Sequence, residues 1–100
     1  MQTIYKYQLK ELFRENRVKM PENAQILSIQ MQEQYPCIWA LVETDNPEIE
    51  RVIEVIGTGN SIKDLELQER TFIATVQLSS QLVFHFFELT DWVDKEEIID

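Results

Sequence analysis

The sequence is short of several things, and each shortage closes off a class of function. One cysteine, Cys37, excludes an internal disulfide. One histidine, His85, cannot make the usual zinc site without cysteines or carboxylates arranged around it. Lysine and arginine number 9 against 18 acidic residues, for a net charge of −9. Binding through the phosphates of a nucleic acid needs clustered basic side chains, so this balance argues against a direct nucleic-acid partner. It permits a basic protein partner. No run approaches the roughly 18 apolar residues of a membrane span, and Met1–Lys10 has no apolar core of signal-peptide length. These absences predict a soluble cytosolic protein. Glycine occurs twice, at Gly57 and Gly59. Their closeness marks a backbone that needs positive φ or close approach.

What is present is a series of short apolar runs separated by turn-formers. The chain of 100 residues is one domain by size, and 44% of it is hydrophobic, as in globular proteins. Thr3–Leu9 alternates, with Tyr5, Tyr7 and Leu9 on one face. Lys10–Asn16 is a helical turn or a loop. Arg17–Met20 is a short strand, and Pro21–Ala24 is a turn in which Asn23 tolerates a left-handed backbone. Gln25–Gln32 places Leu27, Ile29 and Met31 on one face. Cys37–Glu43 is apolar on both faces, which suggests a central strand. Asp45, Asn46 and Pro47 then break the chain. Helical spacing competes at Glu48–Ile56, but the β-branched residues of Ile49–Gly57 favour a strand. Ser61–Glu69 reads as a loop or a single helical turn. Thr71–Leu78 and Gln81–Glu88 form a hairpin across Ser79 and Ser80. The expected fold is a mainly β domain over residues 1–89, an antiparallel sandwich or open barrel of about seven strands. Its expected core is Leu27, Ile29, Trp39, Leu41, Val76, Phe84 and Phe86. Residues 90–100 form an acidic tail or a short helix capped by Asp91.

The chemistry-bearing residues are few. His85 lies mid-strand among phenylalanines, and nothing in the sequence supplies an orienting carboxylate or a nucleophile beside it. It reads as a structural or surface histidine. Cys37 reads as a small buried hydrophobe, with no basic neighbour to activate it. Tyr5, Tyr7, Tyr35 and Trp39 read as core aromatics. Glu48, Glu50 and Glu54 lie along a solvent face without calcium-loop spacing. No catalytic, metal or cofactor set stands out. The turn Gly57, Thr58, Gly59, Asn60 with Lys63 lacks the pattern of a P-loop, and an inter-strand turn is the plainer reading. It is still the best place for an anionic ligand.

Several segments together resemble a family of small uncharacterised bacteriophage and prophage proteins. They are Thr3-Ile4-Tyr5-Lys6-Tyr7, Met20-Pro21-Glu22-Asn23-Ala24 with Gln25–Gln32, Pro36-Cys37-Ile38-Trp39-Ala40-Leu41-Val42, Gly57-Thr58-Gly59, and Leu82-Val83-Phe84-His85-Phe86-Phe87-Glu88. They run in order over residues 3–88. The resemblance implies a phage origin, action in the host cytoplasm and a β-rich fold, and it brings no active site. The expectation is a non-catalytic binding protein that antagonises a host anti-phage defence, either by blocking an effector protein or by sequestering a nucleotide signal. A minor virion or assembly component is the alternative, and an enzyme is the third class. A nucleotide would meet Gly57, Thr58, Gly59, Asn60 and Lys63. A protein target would meet the acidic tail, at Asp91, Trp92, Asp94, Glu96 and Glu97. A short chain with strands apolar on both faces also predicts a homo-oligomer, a two-fold dimer.

Overall fold

Each apolar run becomes a strand. A computed structural model describes residues 1–12, 14–62 and 68–91. In chain order the strands are β1 (Gln2–Gln8), β2 (Glu15–Pro21), β3 (Gln25–Gln32), β4 (Tyr35–Glu43), β5 (Glu48–Gly57), β6 (Gln68–Gln77) and β7 (Val83–Asp91). There is no helix among the described residues, so the helical alternative at β5 is settled in favour of a strand. Lys10–Arg14 is likewise not helical where it is described. β6 begins at Gln68, three residues before the expected start, and takes in part of the expected loop. β7 runs on through Thr90 to Asp91. The expected short helix after it lies outside the described residues.

The strands form two antiparallel sheets that do not close into a barrel. One has the order β1-β4-β3, the other β2-β5-β7-β6. β4 is central, as its apolar faces suggest. The inner faces meet in a single cluster. Ile29, Ile38, Ala40 and Val42 come from the first sheet, and Met20, Ile53, Val55, Phe84 and Phe86 from the second, with Leu9 and Ala24 beside them. Burying Phe84 and Phe86, both at most 1% exposed, contributes roughly 1.5–3 kcal/mol each.

The core differs from the expected one at Leu27, which a bulge turns outward, and at Trp39 and Leu41, which lie on the other face of β4. In β3, Ile26 pairs with Ala40 and Ser28 with Trp39, which leaves Leu27 as an extra residue. Ile26 and Ile29 therefore share the inner face, and Leu27 is 46% exposed rather than buried. In β6 the extra residue is Ile73, between the pairs Phe72–Phe87 and Ala74–Phe86. Ala74, Val76 and Leu78 pack partly buried on the core, while Phe72 turns outward with Phe87. On β4 the inner set is Ile38, Ala40 and Val42, and Trp39 and Leu41 lie half-buried on the outer face. Tyr5, on the inner side of edge strand β1, is also largely exposed.

The turns follow local chemistry. Ala24 N–H donates to Pro21 O at 3.1 Å, with Asn23 at φ 68°. Gly59 takes φ +87°, and a Cβ on Gly57 would lie 2.9 Å from Asn60 Nδ2. Gly59 thus takes the positive φ expected of the pair, while the close contact at Gly57 is with the end of a side chain that can move aside. Glu33, in the β3–β4 hairpin, takes φ 59° without being a usual turn residue.

A part-buried ion pair links neighbouring strands of the second sheet. Arg51 donates from Nε and Nη2 to the Glu88 carboxylate at 2.6 and 2.8 Å, and from Nη1 to Ala24 O at 2.6 Å. The bond to Glu88 raises the guanidinium pKa above its ordinary value, although burial opposes it. Because Ala24 leads into β3, this one side chain ties the second sheet to the first.

Candidate functional site

The site lies where the start of β2 meets the end of β5, on the outer side of the four-stranded sheet. Asn16 shapes the approach. Its Nδ2 donates to Glu11 O at 2.8 Å, and its Oδ1 accepts from Glu11 N–H at 2.9 Å. The short polar side chain thereby closes the Glu11–Asn16 loop. Val55 N–H donates to Arg14 O at 3.3 Å, which carries the pairing of β2 with β5 one step beyond the strand. Cross-strand register then places Glu15 opposite Glu54 and Arg17 opposite Val52. The turn after β5, closed by Asn60 N–H donating to Gly57 O at 3.0 Å, brings Asn60 and Ser61 alongside.

These elements line an open cavity of about 500 Å³, bounded among the described residues by Arg14, Glu15, Arg17, Glu54, Val55, Ile56, Asn60 and Ser61. That volume is within the range of small-molecule sites. The charges on its wall are unequally committed. Glu54 is held by Arg70, with Nε donating to Oε1 at 2.6 Å and Nη2 to Oε2 at 3.2 Å. The Arg70 guanidinium also lies 5.8 Å from the Phe87 ring centre. The two arginines of the cavity are bound loosely. Arg17 makes one hydrogen bond to Glu50 at 3.0 Å and approaches Glu15 at 3.9 Å. Arg14 approaches Glu11 at 3.7 Å, beyond hydrogen-bond reach. A guanidinium carries five N–H donors, so both keep donors for an acceptor in the cavity.

Next to the cavity is a hydroxyl–imidazole set. Ile56, in the wall, pairs across the strands with His85. His85 Nε2 lies 2.7 Å from Thr58 Oγ1, and its Nδ1 lies 2.9 Å from Thr75 Oγ1. Thr58 Oγ1 also donates to Val83 O at 3.3 Å. The imidazole thus bridges two threonine hydroxyls across the strands. The group behind the ring is a hydroxyl rather than a carboxylate. The arrangement is a cross-strand hydrogen-bonded clasp.

Of the expected ligand residues, Asn60 lines the cavity, and Gly57 and Gly59 shape the turn that carries it. Thr58 turns away to His85. Lys63 lies outside the described residues, as do Trp92, Asp94, Glu96 and Glu97, while Asp91 ends β7. Arg14, Glu15, Arg17, Glu54 and Ser61 were not anticipated. The alternation of Glu15, Arg17 and Lys19 shows an outward charged row on β2, but the register that sets this row beside Glu54 and Asn60 is not written in it. Cys37 is buried, with Sγ 3.8 Å from Tyr35 O, and packs as the small hydrophobe expected. A second, polar cleft of about 260 Å³ lies by the β3–β4 hairpin, where Lys6 Nζ donates to Gln32 Oε1 at 2.5 Å.

No curated protein and no solved structure matches the chain. A profile of the domain of unknown function DUF7352 matches residues 1–96. That span takes in both sheets and every wall of the cavity, and the chain belongs to this family.

Proposed function

We propose that this is a phage-encoded, non-catalytic binding protein that antagonises a host defence by sequestering a nucleotide signal in the cavity between β2 and β5. The observation that carries the reading is local. In a chain of net charge −9, a cavity of about 500 Å³ is flanked by two loosely paired arginines and a glycine-bearing turn. Arginine forks match phosphate oxygens, and they act locally whatever the net charge. The phage origin rests on the resemblance of residues 3–88 to small phage and prophage proteins. The Thr58–His85–Thr75 clasp sets no carboxylate behind the ring, which disfavours turnover.

Isothermal titration calorimetry against a panel of cyclic di- and oligonucleotides tests this reading. We expect one of them to bind, and Arg14→Ala with Arg17→Ala to weaken it by at least about tenfold, the loss of one charge-assisted contact or more. The variant should keep its unfolding midpoint, because both side chains are exposed. Binding to no member of the panel, together with no rescue of phage growth in defended hosts, would overturn the reading. If rescue persists without nucleotide binding and is lost on truncation after Asp91, the target is instead an effector protein that meets the acidic tail. Recovery of the protein in purified virions would favour the assembly component.

A further inference from the structure

The two sheets have four edges between them, and three are guarded. β3 carries the bulge at Leu27 and β6 the bulge at Ile73, and these two edges approach each other. β2 presents Glu15, Arg17 and Lys19 and ends in Pro21, which has no N–H to offer. Bulges, edge charges and proline are the usual means by which sheets refuse further strands. β1 differs. Its seven residues keep unbroken register with β4, and among the described residues no other strand pairs with it. Its one charged side chain, Lys6, is drawn back across β4 to Gln32 Oε1 at 2.5 Å, away from the edge. Ile4 and Tyr5, at its centre, are 55% and 42% exposed.

The hydrogen-bond phase of this edge can be read off. Thr44 N–H donates to Met1 O, and Leu9 N–H to Pro36 O. Bonded pairs alternate in an antiparallel ladder, so Thr3, Tyr5 and Tyr7 bond to β4. Gln2, Ile4, Lys6 and Gln8 turn their N–H and C=O groups to the free side. We propose that this edge pairs with the same edge of a second copy, antiparallel about a two-fold axis at Tyr5, so that two three-stranded sheets become one of six strands. The register follows from the residues. An axis at Tyr5 sets Ile4 opposite Lys6 and Gln2 opposite Gln8, so that every outward group on the strand is met. An axis at Lys6 would oppose two lysines, and one at Ile4 would leave Gln8 unmatched. Tyr5 then faces Tyr5 in a non-hydrogen-bonded pair, where side chains lie closest. The dimer does not depend on the nucleotide reading and leaves the cavity open.

Light scattering across the micromolar range should give twice the 11.9 kDa chain mass. Ile4→Pro removes an outward donor and spares the bonds to β4, so it should weaken the dimer at least about tenfold with the fold retained. Thr3→Pro removes a donor to β4 and should instead unfold the chain. Tyr5→Cys should cross-link the two copies under mild oxidation, since a Cα separation of about 4.5 Å suits a disulfide. Buried Cys37 does not compete. This cross-link decides the matter even if the proline variant misfolds. A monomer mass throughout would overturn the proposal, as would a dimer that resists Ile4→Pro and fails to cross-link through Tyr5→Cys.

Discussion

Glu33 holds φ 59° in a two-residue hairpin, a conformation that costs a residue with a Cβ about 1–2 kcal/mol. Glycine would lose that strain but bring about 0.5–1 kcal/mol of extra chain entropy to the unfolded state. Glu33→Gly should therefore stabilise the protein by about 0.5–1 kcal/mol, read as a higher urea midpoint at unchanged slope. Asn23 and Gly59 announce their positive φ by residue type, whereas Glu33 does not, so this turn was legible only as a short connection. The Arg51–Glu88 pair is similar. Nothing in the spacing of residues 51 and 88 shows that cross-strand pairing makes them neighbours. Their side chains are 16% and 22% exposed, so removing one partner should cost somewhat less than the 3–5 kcal/mol of a fully buried pair. We expect about 2–4 kcal/mol for Glu88→Ala. Arg51→Met with Glu88→Leu should recover most of that loss. It should still remain about 1 kcal/mol below the wild type, because Ala24 O loses its donor.

At the scale of the element, the existence and order of the strands were legible and their phase was not. Period-two alternation, proline and asparagine turns, and β-branched content located all seven strands. A bulge adds one residue, and every residue beyond it changes face. The extra residues, Leu27 and Ile73, are ordinary strand formers. Without glycine or proline to mark them, an unbroken alternation was the simpler inference. The expected faces of β3 and β6 failed there and held beyond. Substitution tests this assignment directly. Leu27→Ser should change stability by no more than about 0.5 kcal/mol, while Ile29→Ala should cost about 2–5 kcal/mol in the same denaturation assay. Equal costs would restore the unbroken alternation.

At the scale of the molecule, the candidate site draws on two segments far apart in sequence, Arg14–Arg17 and Glu54–Ser61. The glycine turn was legible because glycine is scarce. Arg14 and Arg17 were not, because their role depends on the register of β2 against β5. Both sheets share one apolar cluster and the Arg51 tie, so they should melt together. In a Trp92→Phe background, Trp39 fluorescence reports the first sheet, and it should follow the same denaturation curve as far-ultraviolet circular dichroism of the whole chain. Two separated transitions would show that the sheets unfold independently.

The order of the strands also bears on how the chain is made. β1 pairs with β4, and β2 with β5. A chain leaving the ribosome therefore presents its first two strands before their partners exist. Gln2 waits for Glu43, and Glu15 for Glu54. Only the β3–β4 and β6–β7 hairpins can form from adjacent segments. Long-range pairing of this kind slows folding, toward the millisecond-to-second range of small all-β domains. Meanwhile the regular β1 strand is open to any extended segment nearby. During synthesis at high copy number, that segment is the β1 of another nascent chain. The nascent stage is therefore when chaperone cover matters most for this protein.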